Sequence, residues 1–295
     1  MSATRLAVHQ LSVAKLERSL DFYCSCLGMV EREAPANTGS QRGQRHARCF
    51  LGFERNDKGA PEGQGPDALL ELVHSPRAAT HPRSADDALP LGYWKIGIAL
   101  ADVDRARAAL VARGVEVTSA QQFADIGYLC HLKDPDGYSI ELIQHTFGPR
   151  VVPSVVAEDQ ALGVQPTLAH ITLRVADAAR SLAFYTEQLG MHLVARQDVR
   201  THGFSLYFLA CQTELPPVDD WADRRHREWL WQRPYSLLEL QHVWHPERAC
   251  ARYATGPDTG FLGLVLQHAA QRDPTDLVDP DGYRVRLVPA AGTAV

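Results

Sequence analysis

Two copies of the pentapeptide DPDGY are followed by residues of opposite charge at the same place. The first copy begins at Asp134 and reads DPDGYSIELI, and the second begins at Asp279 and reads DPDGYRVRLV. Seven positions after the first Asp, one copy has Glu141 and the other has Arg286. A carboxylate can bind a metal ion or accept a proton, whereas a guanidinium stays protonated and has no acceptor. The repeated unit thus carries opposite charges at the same place, and any role of the Glu141 carboxylate has no counterpart at Arg286.

The repeat extends well beyond these pentapeptides. RSLDFYCSCLGM matches RSLAFYTEQLGM, and both place apolar residues at helical spacing after a stretch of alternating polarity. LLELVH likewise matches LLELQH. Each half is thus predicted to contain two units of a strand, a helix and further strands. The units fall at 5–75, 92–146, 167–245 and 260–289.

The unit boundaries also predict the domain organisation. We expect a first domain at 1–146, a linker at 147–166 that is rich in Pro, Gly and polar residues, and a second domain at 167–295. A chain of 295 residues is long enough for two domains, each with its own core. Only HAAQRDPTDLV separates GLVLQ from the second DPDGY, so the fourth unit is expected to lack a crossover helix.

The composition indicates a cytoplasmic protein. The net charge is −5, which does not favour nucleic acid or an anionic membrane as a partner. No apolar run approaches the ~20 residues of a membrane span, and the N-terminal stretch lacks a signal-peptide pattern. The six cysteines are scattered without zinc-type spacing, as expected in a reducing compartment. We expect a monomer or a homodimer.

Four such units in two halves resemble the vicinal oxygen chelate superfamily, and among its members the sequence is most similar to glyoxalase I. The segments that carry the resemblance are FSLYFLA, LELQH, GIALADV and DPDGYSIEL. Over nearly the whole chain, the resemblance implies an α+β fold. It consists of four βαβββ modules in two glyoxalase/bleomycin resistance/dioxygenase-like domains, with the fourth module truncated.

In this family each module offers one position on its first strand and one on its last strand to a shared divalent ion. The resemblance places His170 and Glu239 at these positions in module three, and Lys95 and Glu141 in module two. Such an ion needs several N or O donors at about 2.0–2.2 Å. Zn, Ni, Mn or Fe would suit these donors.

Module one requires attention to strand phase. An ungapped alignment through the helix places Val8, and not the neighbouring His9, opposite His170. Successive strand residues point to opposite faces, so His9 is predicted to face away from the site while His170 lines a cavity. Module one then retains only Glu71 as a donor.

Only one pairing of modules supplies three donors. Modules two and three together provide His170, Glu239 and Glu141, with Lys95 beside them. Modules one and four provide only Glu71, because Gly263 and Arg286 occupy the positions of module four. Fused relatives are known to combine modules in these two ways, so we expect one retained site and one lost site.

The resemblance also implies roles. Glu141 would take a proton from the carbon of a hemithioacetal, and the ion would stabilise the enediolate that forms. Arg174 matches a substrate-binding Arg that holds a carboxylate of glutathione. Lys95 stands where glyoxalase I has His, and it could act as a base or hold an oxyanion. Val243 replaces an Asn of the family, which is a departure from the family's pattern for substrate recognition.

Two other functions stay open. An extradiol dioxygenase needs two His and one carboxylate on Fe(II), but the positions that would supply His and Glu hold Gly263 and Arg286. A metal-free binding protein would instead pair Lys95 with Glu141 or Glu239. The preferred prediction is a metal-dependent lyase or isomerase that acts on a small oxygenated substrate, with thiol conjugates included in this substrate class.

Overall fold

The computed structural model describes residues 4–38, 48–54, 68–77, 91–149, 160–244, 253 and 255–290. Module one consists of β1 (Thr4–Val13), α1 (Leu16–Leu20), β2 (Val30–Arg32), β3 (Arg48–Gly52) and β4 (Leu69–His74). Helix α1 continues as a π-helix at Asp21–Cys26. Module two consists of β5 (Gly92–Leu100), α2 (Val103–Ala112), β6 (Gln121–Phe123), β7 (Gly127–Lys133) and β8 (Ser139–Gln144).

Module three repeats this order with one insertion. It consists of β9 (Thr167–Val175), α3 (Ala178–Ala183), β10 (His192–Val199), β11 (Phe204–Ala210), α4 (Arg224–Leu230) and β12 (Leu237–Val243). Module four has only β13 (Phe261–His268), β14 (Thr275–Val278) and β15 (Arg284–Pro289). Residues 269–274 form turns and no helix, so the predicted loss of the crossover helix is confirmed. None of the described helices is long and apolar enough to cross a membrane.

The described strands form two sheets, and each sheet combines modules from both halves of the chain. The seven-stranded sheet has the order β14-β15-β13-β1-β4-β3-β2, which joins modules one and four. The eight-stranded sheet has the order β10-β11-β12-β9-β5-β8-β7-β6, which joins modules two and three. In both sheets the first strands of the two modules pair antiparallel. The expected pairing of modules across the halves is therefore confirmed.

The main hydrophobic core lies between the two sheets. It includes Leu11 and Leu266 of the seven-stranded sheet, and Ile98 and Leu240 of the eight-stranded sheet. Strand residues alternate between faces, so neighbours such as Ala99 belong to a second cluster on the opposite face of the eight-stranded sheet. Each sheet thus has one face in the common core and one face turned away from it.

The first DPDGY turn fastens module two to the helix of module one. Asp134 Oδ1 accepts the backbone N–H groups of Asp136 and Tyr138, while Asp134 Oδ2 accepts the Tyr23 hydroxyl at 3.0 Å. Asp136 accepts the Ser19 hydroxyl at 3.0 Å. Burial raises the pKa of Asp134 to about 7. We call this arrangement the aspartate clamp.

The second DPDGY turn forms the same clamp between modules four and three. Asp279 Oδ2 accepts the Tyr185 hydroxyl at 3.0 Å, and Asp281 accepts the Ser181 hydroxyl at 2.8 Å. The Tyr283 hydroxyl donates to the backbone carbonyl of Arg174 at 2.6 Å. Because the modules of each clamp belong to different sheets, both clamps hold the two sheets together.

Tyr23→Phe is expected to lower the free energy of unfolding by about 1–3 kcal/mol, because it leaves a buried carboxylate oxygen without its donor. Tyr93→Phe is the matched control. Its hydroxyl is also buried, but it has no hydrogen-bond partner, so its loss should be neutral or stabilising. Urea unfolding of both variants measures the difference, and equal destabilisation would contradict a role for the clamp.

Candidate active site at the seam of the eight-stranded sheet

Strand register brings the four predicted positions together. In the antiparallel pair β5–β9, Gly97 lies opposite His170 and Lys95 lies opposite Thr172. The parallel neighbour β8 places Glu141 beside Gly97. The parallel neighbour β12 places Glu239 beside Thr172. Residues far apart in the sequence therefore meet where the two modules join.

The side chains at this seam form a buried polar cluster. His170 Nε2 lies 3.4 Å from Glu141 Oε1 and 3.6 Å from Glu239 Oε2. Lys95 Nζ forms an ion pair with Glu141 Oε2, and His131 Nε2 lies 3.1 Å from the same oxygen. His131 is the partly exposed member of the cluster, whereas the other four are buried.

These neighbours determine the charge of Glu141. Burial alone would raise its pKa, but the Lys95 ammonium and the contacts with His131 and His170 hold the pKa well below its ordinary value. Glu141 is therefore a carboxylate at neutral pH. An ionised carboxylate can accept a proton or bind a cation, although a low pKa makes it a weak base.

His170 occupies a space that exists because residue 97 is glycine. A Cβ atom at Gly97 would lie 1.9 Å from His170 Cε1 and 2.3 Å from both ring nitrogens. On another side the imidazole packs against Trp231, with ring centroids 5.6 Å apart. The Trp231 indole is itself fixed by a 2.8 Å hydrogen bond to the carbonyl of Ile126. The imidazole is thus held in place by packing.

The cluster has some of the properties of a divalent metal site. His170 Nδ1 and Nε2, Thr172 Oγ1 and Glu239 Oε1 are buried without a hydrogen-bond partner, which is costly in a protein interior. Two ligand atoms that share an ion at about 2.1 Å in tetrahedral geometry are about 3.4 Å apart. The distances of 3.4 and 3.6 Å from His170 Nε2 to the oxygens of Glu141 and Glu239 agree with this value, and both kinds of atom are common metal ligands.

Lys95 is the feature that opposes metal binding. Within the described part of the chain, no group of three or more His, Cys, Asp or Glu side chains is arranged to hold a metal ion as it stands. The Lys95 ammonium is paired with Glu141 Oε2, and at this position it would repel a metal cation. His170, Glu141 and Glu239 therefore suit an ion only if this ammonium moves aside.

A β-bulge gives the site a tryptophan. The β5–β9 register shifts between Tyr93 and Lys95, so Trp94 and Lys95 both line the cavity beside the cluster. The Trp94 ring centroid lies 4.4 Å from Lys95 Nζ and 4.6 Å from Arg174 Cζ, which are cation–π distances. Arg174 Nε donates to Gln241 Oε1 at 2.6 Å.

A cavity of about 420 Å³ opens above the cluster. Lys95, Glu141, Glu239 and Arg174 contribute polar groups to its lining. Its other walls are largely apolar, and they are formed by Trp94, Phe123, Ile126, Leu129, Phe204, Leu206 and Val243. A concave, mostly apolar pocket with a few polar groups is typical of a small-molecule site.

The positions of His9 on β1 and His170 on β9 confirm the predicted strand phase, because His9 faces the common core whereas His170 faces the polar cluster. His9 is fully buried and stacks on Tyr93 and Phe261, with ring centroids 5.4 and 5.9 Å away, so it faces the common core. Burial lowers its pKa to about 3. His170 contacts the cluster, but it is covered by its neighbours and does not line the cavity. The expectation of a cavity-lining His170 was therefore wrong in this detail.

Among the described residues, the corresponding place in the seven-stranded sheet holds no comparable cluster of donors. Glu71 accepts hydrogen bonds from Gln10 at 2.7 Å and from Arg48 at 3.1 Å. Burial raises the pKa of Glu71, although both partners oppose this effect. Arg286 Nη1 lies 3.9 Å from Asp276 Oδ1.

Sequence reasoning missed three residues of the site. Trp94 reaches the cavity because of a β-bulge, and Gly97 matters because the His170 ring approaches it closely. Neither feature leaves a pattern in the sequence. His131 left a usable signal, because a hairpin counted outwards from the DPDG turn pairs it with Glu141.

Comparisons with known proteins agree with this architecture. The family model of the Glyoxalase/Bleomycin resistance protein/Dioxygenase superfamily matches residues 5–142 and 167–287. A lactoylglutathione lyase of Pseudomonas aeruginosa is 34% identical over 170 residues, which cover 50% of this chain and 95% of that protein. A lactoylglutathione lyase of Schizosaccharomyces pombe is 25% identical over 98% of this chain and 97% of its own length.

Solved structures show the same fold. The crystal structure of glyoxalase I from Zea mays has a TM-score of 0.60 at 20% identity, covering 98% of this chain and 93% of that chain. A crystal structure of a Bacillus subtilis protein described as a putative dioxygenase has a TM-score of 0.51 at 11% identity. Since the family model spans most of the chain, the protein belongs to the Glyoxalase/Bleomycin resistance protein/Dioxygenase superfamily.

Proposed function

We propose that this protein is a glyoxalase I-like lyase that isomerises a hemithioacetal of an α-oxo aldehyde. The observation that carries the proposal is the convergence of His170, Glu141 and Glu239 at the floor of an apolar cavity. Relatives named lactoylglutathione lyase, one of which aligns along almost the whole chain, support the same class of reaction.

The reaction moves one proton between neighbouring carbons, so it needs a base and a positive charge. Glu141 is ionised and would take the proton from the carbon that bears sulfur and return it to the next carbon. We propose that Lys95 donates to the oxygen that becomes negative. If the developing negative charge attracts the ammonium, the ion pair between Lys95 and Glu141 weakens. The pKa of Glu141 then rises, and this carboxylate becomes a stronger base.

A divalent ion held by His170, Glu239 and Glu141 would add positive charge for the same oxygen. Arg174 lies four residues after His170 on β9, so it is on the same face of the strand. We propose that it holds a further oxygen or a carboxylate of the substrate. The apolar walls would exclude water from the proton transfer.

One observation favours a second candidate, a metal-free binding protein. The Lys95–Glu141 ion pair completes the charge balance of the cleft without a metal. Metal analysis of protein purified without added ions separates the two candidates, together with assays of hemithioacetal turnover and of oxygen uptake with a catechol. A stoichiometric divalent ion with isomerase activity supports the lyase. If the protein contains no metal and shows no turnover after reconstitution with metal ions, the binding protein is the remaining candidate.

Glu141→Gln is expected to reduce the metal-dependent kcat about 100-fold or more, because an amide cannot accept the substrate proton. Glu71→Gln is the matched control, since Glu71 occupies the same position of the repeat in the other sheet. Its kcat should stay within about twofold of the wild type. Similar losses in both variants would place the reaction elsewhere or in both sheets.

Lys95→His is expected to tighten the binding of Zn or Ni about tenfold or more, because it removes an ammonium and adds an imidazole ligand. Isothermal titration of the apoprotein measures this change. Lys15→His, at an exposed position, controls for the mere addition of a histidine. Unchanged affinity in Lys95→His would mean that the ammonium does not compete with the ion.

Gly97→Ala is expected to displace the His170 imidazole and to lower both metal content and kcat about tenfold or more. Gly256→Ala is its control, because a Cβ there would meet no atom within 4 Å. Metal content per folded chain, checked by circular dichroism, is the measurement. Full metal loading of a folded Gly97→Ala variant would show that His170 is not a ligand.

A further inference from the structure

Among the described lysines, Lys95 is the one that the protein encloses and that still reaches a cavity. Its side chain is 6% exposed, and it lines the cavity of about 420 Å³ above the polar cluster. Lys15 and Lys133, by contrast, are exposed to solvent. An amine that is desolvated in a largely apolar cavity can act as a nucleophile, as in enzymes that form an imine with a carbonyl substrate. Lys95 therefore has the surroundings of a reactive amine.

The ion pair of Lys95 supplies both the acid and the base that imine formation needs. Lys95 Nζ contacts Glu141 Oε2 directly, so a proton can pass between them without moving net charge into the cavity. A ligand that expels water from the cavity removes the remaining hydration of this buried pair, which favours its neutral form, an amine beside a carboxylic acid. His131 Nε2 lies 3.1 Å from the same oxygen, and its side chain is 39% exposed, so it links the pair to the solvent.

Trp94 and Arg174 suit the two parts of an α-oxo acid. The Trp94 ring centroid lies 4.4 Å from Lys95 Nζ, so the ring would stabilise the positive charge of an iminium formed at this nitrogen. The same centroid lies 4.6 Å from Arg174 Cζ, and Arg174 also lines the cavity. A guanidinium binds a carboxylate through paired N–H groups. A ligand with a carboxylate next to its keto carbon can therefore contact both cations, while its hydrocarbon end meets the apolar walls.

We infer that Lys95 is a nucleophile that forms an imine with the keto carbon of an α-oxo acid, whose carboxylate is held by Arg174. Glu141 first takes one proton from the ammonium, and the free amine then adds to the keto carbon with a new C–N bond. The keto oxygen takes two of the three ammonium protons, one of them through Glu141, and leaves as water. The third proton and the positive charge stay on nitrogen, so the step needs no oxidant or reductant.

The imine gives this cavity an activity beyond the isomerisation proposed above. A protonated imine withdraws electrons from the neighbouring carbon, which then loses a proton readily. Glu141 is again a carboxylate at this stage, and it takes that proton to leave an enamine. Return of a proton from the solvent regenerates the imine, and water then releases the α-oxo acid. The protein thus exchanges the protons next to the keto group with those of water.

Reductive trapping tests the inference on the wild-type protein. Pyruvate is the probe, and sodium cyanoborohydride reduces an imine to a stable secondary amine. Intact mass spectrometry should show about one pyruvate-derived group per chain, and peptide mapping should place it on Lys95, about tenfold or more above each exposed lysine. In D2O, the same protein should exchange the methyl protons of pyruvate for deuterium, which proton NMR follows.

Lys95→Arg keeps a cation beside Glu141 but offers no amine that forms an imine, so trapping and exchange should both fall about tenfold or more. Lys133→Arg is the matched control at an exposed position, and both of its readouts should equal those of the wild type. Wild-type protein with no label at Lys95, or with label spread equally over the four lysines of the chain, would overturn the inference. Trapping needs neither a hemithioacetal nor a metal ion, so its result is independent of the isomerase assays that test the proposed function.

Discussion

The antiparallel pairing of β5 with β9 is the contact on which the candidate site depends. These strands are the first strands of modules from opposite halves of the chain, and their register sets Gly97 against His170. The outer neighbours β8 and β12 then bring in Glu141 and Glu239. A shift of this seam by one residue would turn His170 towards the common core, where His9 lies in the other sheet.

The aspartate clamps explain why DPDGY is kept in both halves although only one copy leads to a site carboxylate. Each turn orders its own hairpin through backbone donors to the first Asp, and each holds the helix of the preceding module. The clamp is needed for the attachment of the two sheets, so it is required in both copies. The seventh position has no part in it, which leaves Glu141 and Arg286 free to differ.

The repeats of the sequence were sufficient for the modules. The pairing of modules across the halves and the meeting of His170, Glu141 and Glu239 were implied by the family resemblance together with strand phase. The sequence was not sufficient for details that depend on atomic packing. Trp94 enters the cavity through a bulge, and the imidazole of His170 fits because Gly97 has no Cβ. Neither feature has a periodicity, so only coordinates reveal it.

The contrast between Glu141 and Glu71 shows how one repeat came to carry two electrostatic environments. Both carboxylates are buried, which costs free energy unless the charge is compensated. Lys95 supplies a full, buried counter-charge to Glu141, whereas Glu71 has a more exposed Arg48 and a neutral Gln10. The pKa values move in opposite directions for this reason. Lys95 thus both keeps Glu141 ionised and competes for it with any cation, so its position determines which chemistry the seam can perform.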